Sequence, residues 1–184
     1  QQCEDGICVG TDPDFADVTQ LVINEVYDKV TGSPNFDLNR NNEPCEFIEI
    51  ANVSDQSIKL DDLTLMLNKT DTVGTPKKYP LKGSLFAKHL LIFHSCKNGL
   101  DLPAEAIEVV QTTQFLTEKV PYNIYIADKD YIDGKEGGKT SRAVDFDLSG
   151  GAESSINRQI DFDASSNMVK TLDIDGHASF ATPG

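Results

Sequence analysis

"CEFIEIANVSDQSIKLDDLTL", residues 45–65, holds two apolar-rich runs separated by a short polar turn. The runs extend over 45–53 and 58–67 and are rich in β-branched, aromatic and leucine side chains, which is the composition of strands. Asn52 opens the turn "NVSDQS", whose Asn, Asp and Ser side chains can bond nearby backbone and hold a hairpin. Strand alternation sets Phe47 and Glu49 on one face and Glu46, Ile48 and Ile50 on the other, so neither face is purely apolar. The role expected of Glu46 and Glu49 is that of carboxylates at a wet sheet edge, paired with lysine or backbone N–H.

Working outward, the same composition recurs at 20–28, 89–95, 107–115, 122–128 and 142–148, each run bounded by Gly, Pro, Asn or Asp. Only "PAEAIEVV" admits a helical turn, because Pro103 and Glu105 suit a first turn. Seven short strands with frequent turn signals predict an all-β antiparallel sandwich, not a parallel sheet with crossover helices. Residues 1–19 lack periodicity and read as a flexible acidic leader or stalk end, with one domain over 20–184.

The chain has 184 residues, enough for one well-packed domain. Its 16 Lys+Arg against 30 Asp+Glu give a formal charge of −14, which repels phosphate backbones and anionic lipid surfaces. No nucleic-acid partner is expected. The best local basic patch is Lys77 with Lys78, which reads as a solubilising pair beside a strand edge. No run approaches the roughly 18 consecutive apolar residues of a membrane-spanning helix. No signal-peptide pattern is visible, and an exported chain whose signal has been removed is expected.

Four cysteines in an acidic chain suit an oxidising compartment, hence a secreted or cell-surface location. They allow three pairings. The favoured one joins Cys3 to Cys8, closing "CEDGIC", and Cys45 to Cys96, joining two strand ends; four free thiols are the alternative. No CxxC zinc pattern occurs.

Four pieces, in order, carry a family resemblance: "LVINEVYD" (21–28), "CEFIEIANVSDQSIKLDDLTLM" (45–66), "SSINR" (154–158) and the closing "TPG". Over about residues 20–184 the chain resembles the lamin-tail domain, the immunoglobulin-like β-sandwich of nuclear lamins and of secreted and surface proteins of bacteria. The chain departs from the family in having Phe47 and no Trp where a larger aromatic is usual, and in a longer, more acidic loop from Asp28 to Pro44. The resemblance implies a tethering or binding role, since such domains commonly accompany secreted or surface-anchored hydrolases and nucleases.

A hard-cation site is the main functional alternative for the glutamates. In "DLNRNNEPCE", Asp37, Asn39 and Asn41 alternate as the first ligands of a calcium loop do. Asn42 replaces the usual Gly and Ile48 falls at the twelfth position, so Glu43, Glu46 or a backbone carbonyl would complete the sphere around Ca2+. Weaker acidic pairs occur at 12–17, 161–167 and 173–176.

Catalysis finds little support. His89, His94 and His177 lack a local nucleophile or metal pattern, and "DGKEGGKTS" (133–141) fails the glycine spacing of a phosphate loop. Asn52 and Asn68 head Asn-x-Ser/Thr sequons. The expectation is a non-catalytic module that binds protein or glycan at a cell surface, with or without calcium. Its rivals are a calcium-dependent adhesin-like domain and a secreted hydrolase built on scattered carboxylates such as Glu25, Glu46 and Glu49.

Overall fold

The computed structural model describes residues 17–28, 46–95, 106–117 and 120–146, with 102, 104 and the strand backbones at 2–4, 7–9, 154–158 and 168–170. In chain order the strands are β1 (Gln2–Glu4), β2 (Ile7–Val9), β3 (Leu21–Asp28), β4 (Phe47–Asn52), β5 (Ile58–Lys59), β6 (Leu63–Lys69) and β7 (Lys77–Pro80). They continue as β8 (Ser84–Leu85), β9 (Leu90–His94), β10 (Ala106–Val110), β11 (Tyr122–Asp128), β12 (Val144–Phe146), β13 (Ser154–Arg158) and β14 (Met168–Lys170). A 3-10 turn over Val18–Gln20 and the short helix α1 (Lys129–Ile132) complete the described elements.

Two sheets form an all-β sandwich. One has six strands in the order β10-β9-β4-β3-β13-β14, the other four in the order β12-β11-β6-β7. All pairs are antiparallel except β9 with β10. The period-2 pattern explains the packing. Leu63, Leu65 and Leu67 of β6 and Ile124 and Ile126 of β11 face Ile48 and Ile50 of β4 and Leu91 and Phe93 of β9 across the core. Between the sheets, Phe115 packs against Phe93 (ring centroids 4.9 Å apart) and Tyr79 (6.2 Å).

The outer face of the six-stranded sheet is buried as well over β3, β4 and β9. Val22, Tyr27, Phe47, Ala51, Leu90 and Ile92 form a second cluster, with Leu102 and Ala106 packed against it. Tyr27 and Phe47 stack at 5.6 Å. β4 therefore has every residue buried, and lies in the middle of its sheet.

Several expectations change. The run 58–67 is two strands, because Leu63 N–H donates to Leu60 O (2.9 Å) in a turn that Asp61 and Asp62 favour, and β5 leaves to pair with β8. "PAEAIEVV" makes strand from Ala106, since the alternating Ile107 and Val109 pack on the core while the backbone pairs parallel to β9. Lys77 and Lys78 lie in edge strand β7. Near the N-terminus, β1 and β2 form a hairpin, and Val18 is buried in the core.

Candidate functional site

Glu46 and Glu49 correct the wet-edge expectation in their burial, each being 1% exposed, while the expected pairing with backbone N–H is present at Glu46. A carboxylate that deep is stable only when bonded. Glu46 Oε2 accepts the backbone N–H groups of Phe115 (2.7 Å) and Leu116 (3.0 Å). Its main chain is held as well: its N–H donates to Ser95 Oγ (3.1 Å), and Ser95 N–H donates to its carbonyl (3.0 Å). Lys77 Nζ donates to Phe115 O (2.7 Å), so the 111–117 crossing between sheets is gripped from both sides. Burial, with Lys69 nearby, pushes the Lys77 ammonium down from its ordinary value, against the pull of Glu46. Burial pushes the Tyr79 phenol up, and Glu46 adds to the shift.

Glu49 lies on the opposite face of β4. There the β3–β4 register shifts between Ile23 and Glu25, and this irregularity brings Glu25 opposite Glu49. Asn24 Nδ2 donates to Glu49 Oε1 at 2.5 Å. Thus Glu25 and Glu49 are brought together, both buried, while Glu46 serves the other side of the strand.

One strand away on the same outer face, His94 is fully buried and its Nε2 lies 2.7 Å from Glu108 Oε1 of β10. Burial pushes this imidazole down from its ordinary value, and the Glu108 hydrogen bond partly offsets the shift. Sequence reading missed the pair because its members stand 14 positions apart, joined only by the parallel β9–β10 ladder. Tyr131 N–H and Lys139 N–H both donate to Asp128 (2.7 and 2.9 Å), which places "DGKEGGKTS" in the turn between β11 and β12.

Asn52 is a hub. Fully buried, its Nδ2 donates to Gln56 O (2.8 Å), Phe86 O (3.0 Å) and Leu85 O (3.2 Å), and its Oδ1 accepts from Ser54 N (3.0 Å) and Ser54 Oγ (2.7 Å). The expected turn chemistry is therefore present, extended to a second loop.

Of the other expected site residues, Asp37, Asn39, Asn41 and Glu43 lie outside the described residues, as do Cys45 and Cys96 and the acidic pairs at 161–167 and 173–176. The register of β1 and β2 sets Cys3 directly opposite Cys8. Among the described residues no group of three or more His, Cys, Asp or Glu is placed to hold a metal ion, and no helix is long and apolar enough to cross a membrane. The chain matches no protein-family model and no curated protein sequence.

Proposed function

We propose that the chain is a non-catalytic module of the lamin-tail type, immunoglobulin-like and exported, acting at a cell surface or in secretion as a structural or interaction domain. The observation that carries this reading is how the strand carboxylates are used. Glu46 secures the 115–116 backbone and Glu49 secures Asn24, each at 1% exposure, so the acids of the opening motif serve cohesion. A general acid or nucleophile must instead reach a substrate. The arrangement of the resemblance supports the same reading, since "LVINEVYD", "CEFIEIAN" and "SSINR" contribute β3, β4 and β13, neighbours in one sheet. The Cys3–Cys8 and Cys45–Cys96 bridges belong to this proposal, as does a calcium ion at the 37–43 loop.

The test pairs turnover with binding. The purified chain and its Glu25→Gln, Glu46→Gln and Glu49→Gln variants are assayed on phosphodiester, ester and glycoside substrates, and for saturable binding to immobilised surface proteins and glycans. The expected result is binding without turnover. Turnover that a Glu→Gln variant loses while it remains folded at the assay temperature would overturn the proposal.

A further inference from the structure

Away from the buried glutamates, an open groove of about 460 Å3 is lined by Asp17, Thr19, Gln20, Ser54, Asp55 and Gln56. Every lining side chain is polar: the two glutamine amides offer donors and acceptors, while the Thr19 hydroxyl donates to Asp17 and the Ser54 hydroxyl to Asn52 or the Gln56 carbonyl, which leaves each of them an acceptor. The acids are locally balanced. Asp17 Oδ2 accepts from Lys139 Nζ (2.6 Å), and Asp55 Oδ1 lies 3.3 Å from Lys88 Nζ. A groove whose acids already face lysines gives neither a phosphate nor a cation a clear advantage, even on a chain of −14.

The walls are fixed before any ligand arrives. Asn52 pins Ser54 and the Gln56 carbonyl, Asp17 Oδ1 accepts Thr19 N–H (2.8 Å), and Val53 N–H donates to Gln20 O (3.0 Å), tying one wall to the other. Such preorganisation lowers the ordering cost of binding. Phe86 is not one of the lining residues, but the Asn52 amide that holds Gln56 also holds the Phe86 carbonyl, so its turn stands beside the groove, and Phe86 is 58% exposed. Its turn is closed by His89 N–H donating to Phe86 O (3.2 Å) and passes through Lys88, a non-glycine residue at φ +58°, whose Nζ donates to Val53 O.

We propose that this groove binds a neutral saccharide, its hydroxyls paired with Thr19, Gln20, Ser54 and Gln56 and one C–H face of a sugar ring resting on Phe86. A sugar hydroxyl both donates and accepts, as amide and hydroxyl side chains do, and a flat aromatic ring covers the apolar face of a pyranose. The inference rests on the reading of the chain as an interaction module and names its ligand class.

The test is a titration of the isotope-labelled full chain with cellohexaose, maltohexaose, mannohexaose and chitohexaose, followed by amide chemical shifts. Saturable shifts at residues 19–20, 54–56 and 86–89 are expected with at least one probe. The Gln20→Ala/Gln56→Ala double variant and Phe86→Ala each weaken that binding about tenfold, with melting temperature retained. Absence of saturable groove shifts with every probe, or affinities unchanged in the variants, overturns the site. If the chain binds an immobilised protein while the groove stays silent, the module survives and this site falls; glycoside turnover would remove the module reading itself.

Discussion

Glu46 Oε2 accepts the N–H of Phe115 at 2.7 Å across 69 positions of chain, so the residue just before β4 decides where the crossing between the sheets is held. The neighbouring Leu116 N–H shares the same oxygen. Charge-assisted bonds to buried amides contribute about 1.5–3 kcal/mol each, and an abandoned amide costs a similar amount. Glu46→Gln, which keeps the shape, is expected to cost about 1–3 kcal/mol, and Glu46→Ala more. Urea unfolding checks this: the midpoint falls while the slope is unchanged.

Phe115 itself fills the space between Phe93 and Tyr79. Phe115→Ala is expected to cost about 3–5 kcal/mol, the range for a buried aromatic. Because Glu46→Gln and Phe115→Ala release the same crossing, their costs combine to less than their sum in a double-mutant cycle. Strict additivity would show that the carboxylate and the ring act separately.

Asn52 presents one amide nitrogen to three carbonyls. Asn52→Asp replaces that donor with oxygen and sets negative charge against the same carbonyls. It is expected to destabilise more than Asn52→Ala, whose own cost is about 2–4 kcal/mol for several lost buried bonds. Hydrogen exchange at the 54–56 and 86–89 backbone should quicken in both variants ahead of the sheets.

The His94 pKa lies below its unfolded value of 6.5 because burial disfavours the charged ring. Above 6.5 both states hold the ring neutral and its stability contribution is complete. As pH falls below 6.5 the unfolded chain takes up a proton that the folded chain resists, so stability declines until the folded pKa is passed. The slope from this one group is at most about 1.4 kcal/mol per pH unit. Urea midpoints at pH 7.5 and 5.5 should differ less in His94→Gln than in the parent chain.

Calcium separates two parts of the sequence expectation. Glu46 Oε2 is already bonded to two backbone amides inside the sandwich. The calcium ion proposed for the 37–43 loop is expected to raise the melting temperature of metal-stripped protein at millimolar concentration, Asp37→Ala to lose that rise, and Glu46→Gln to keep it although it starts lower. Loss of the rise in Glu46→Gln as well would return Glu46 to the ion.

Runs of β-branched and aromatic residues bounded by turn formers, a local property of the chain, determined the fold class and the positions of β3, β4, β9, β11 and β12. Strand alternation determined the faces of β4, with Ile48 and Ile50 turned from Phe47. Turn chemistry local to "NVSDQS" was legible too, since Asn52 and Ser54 bond within two residues. Only the tertiary structure decided that β4 is central and buried on both faces, because that depends on what packs against it. This is why Glu46 and Glu49 read as wet-edge acids in sequence and are interior ties in the fold. The pairs Glu46–Phe115, Glu49–Asn24 and His94–Glu108 arise from strand order and register, which carry no signal in any window short enough to show periodicity. The groove between the 3-10 turn and the β4–β5 turn has the same origin: its walls stand more than thirty residues apart in the chain and meet only where Val53 bonds Gln20.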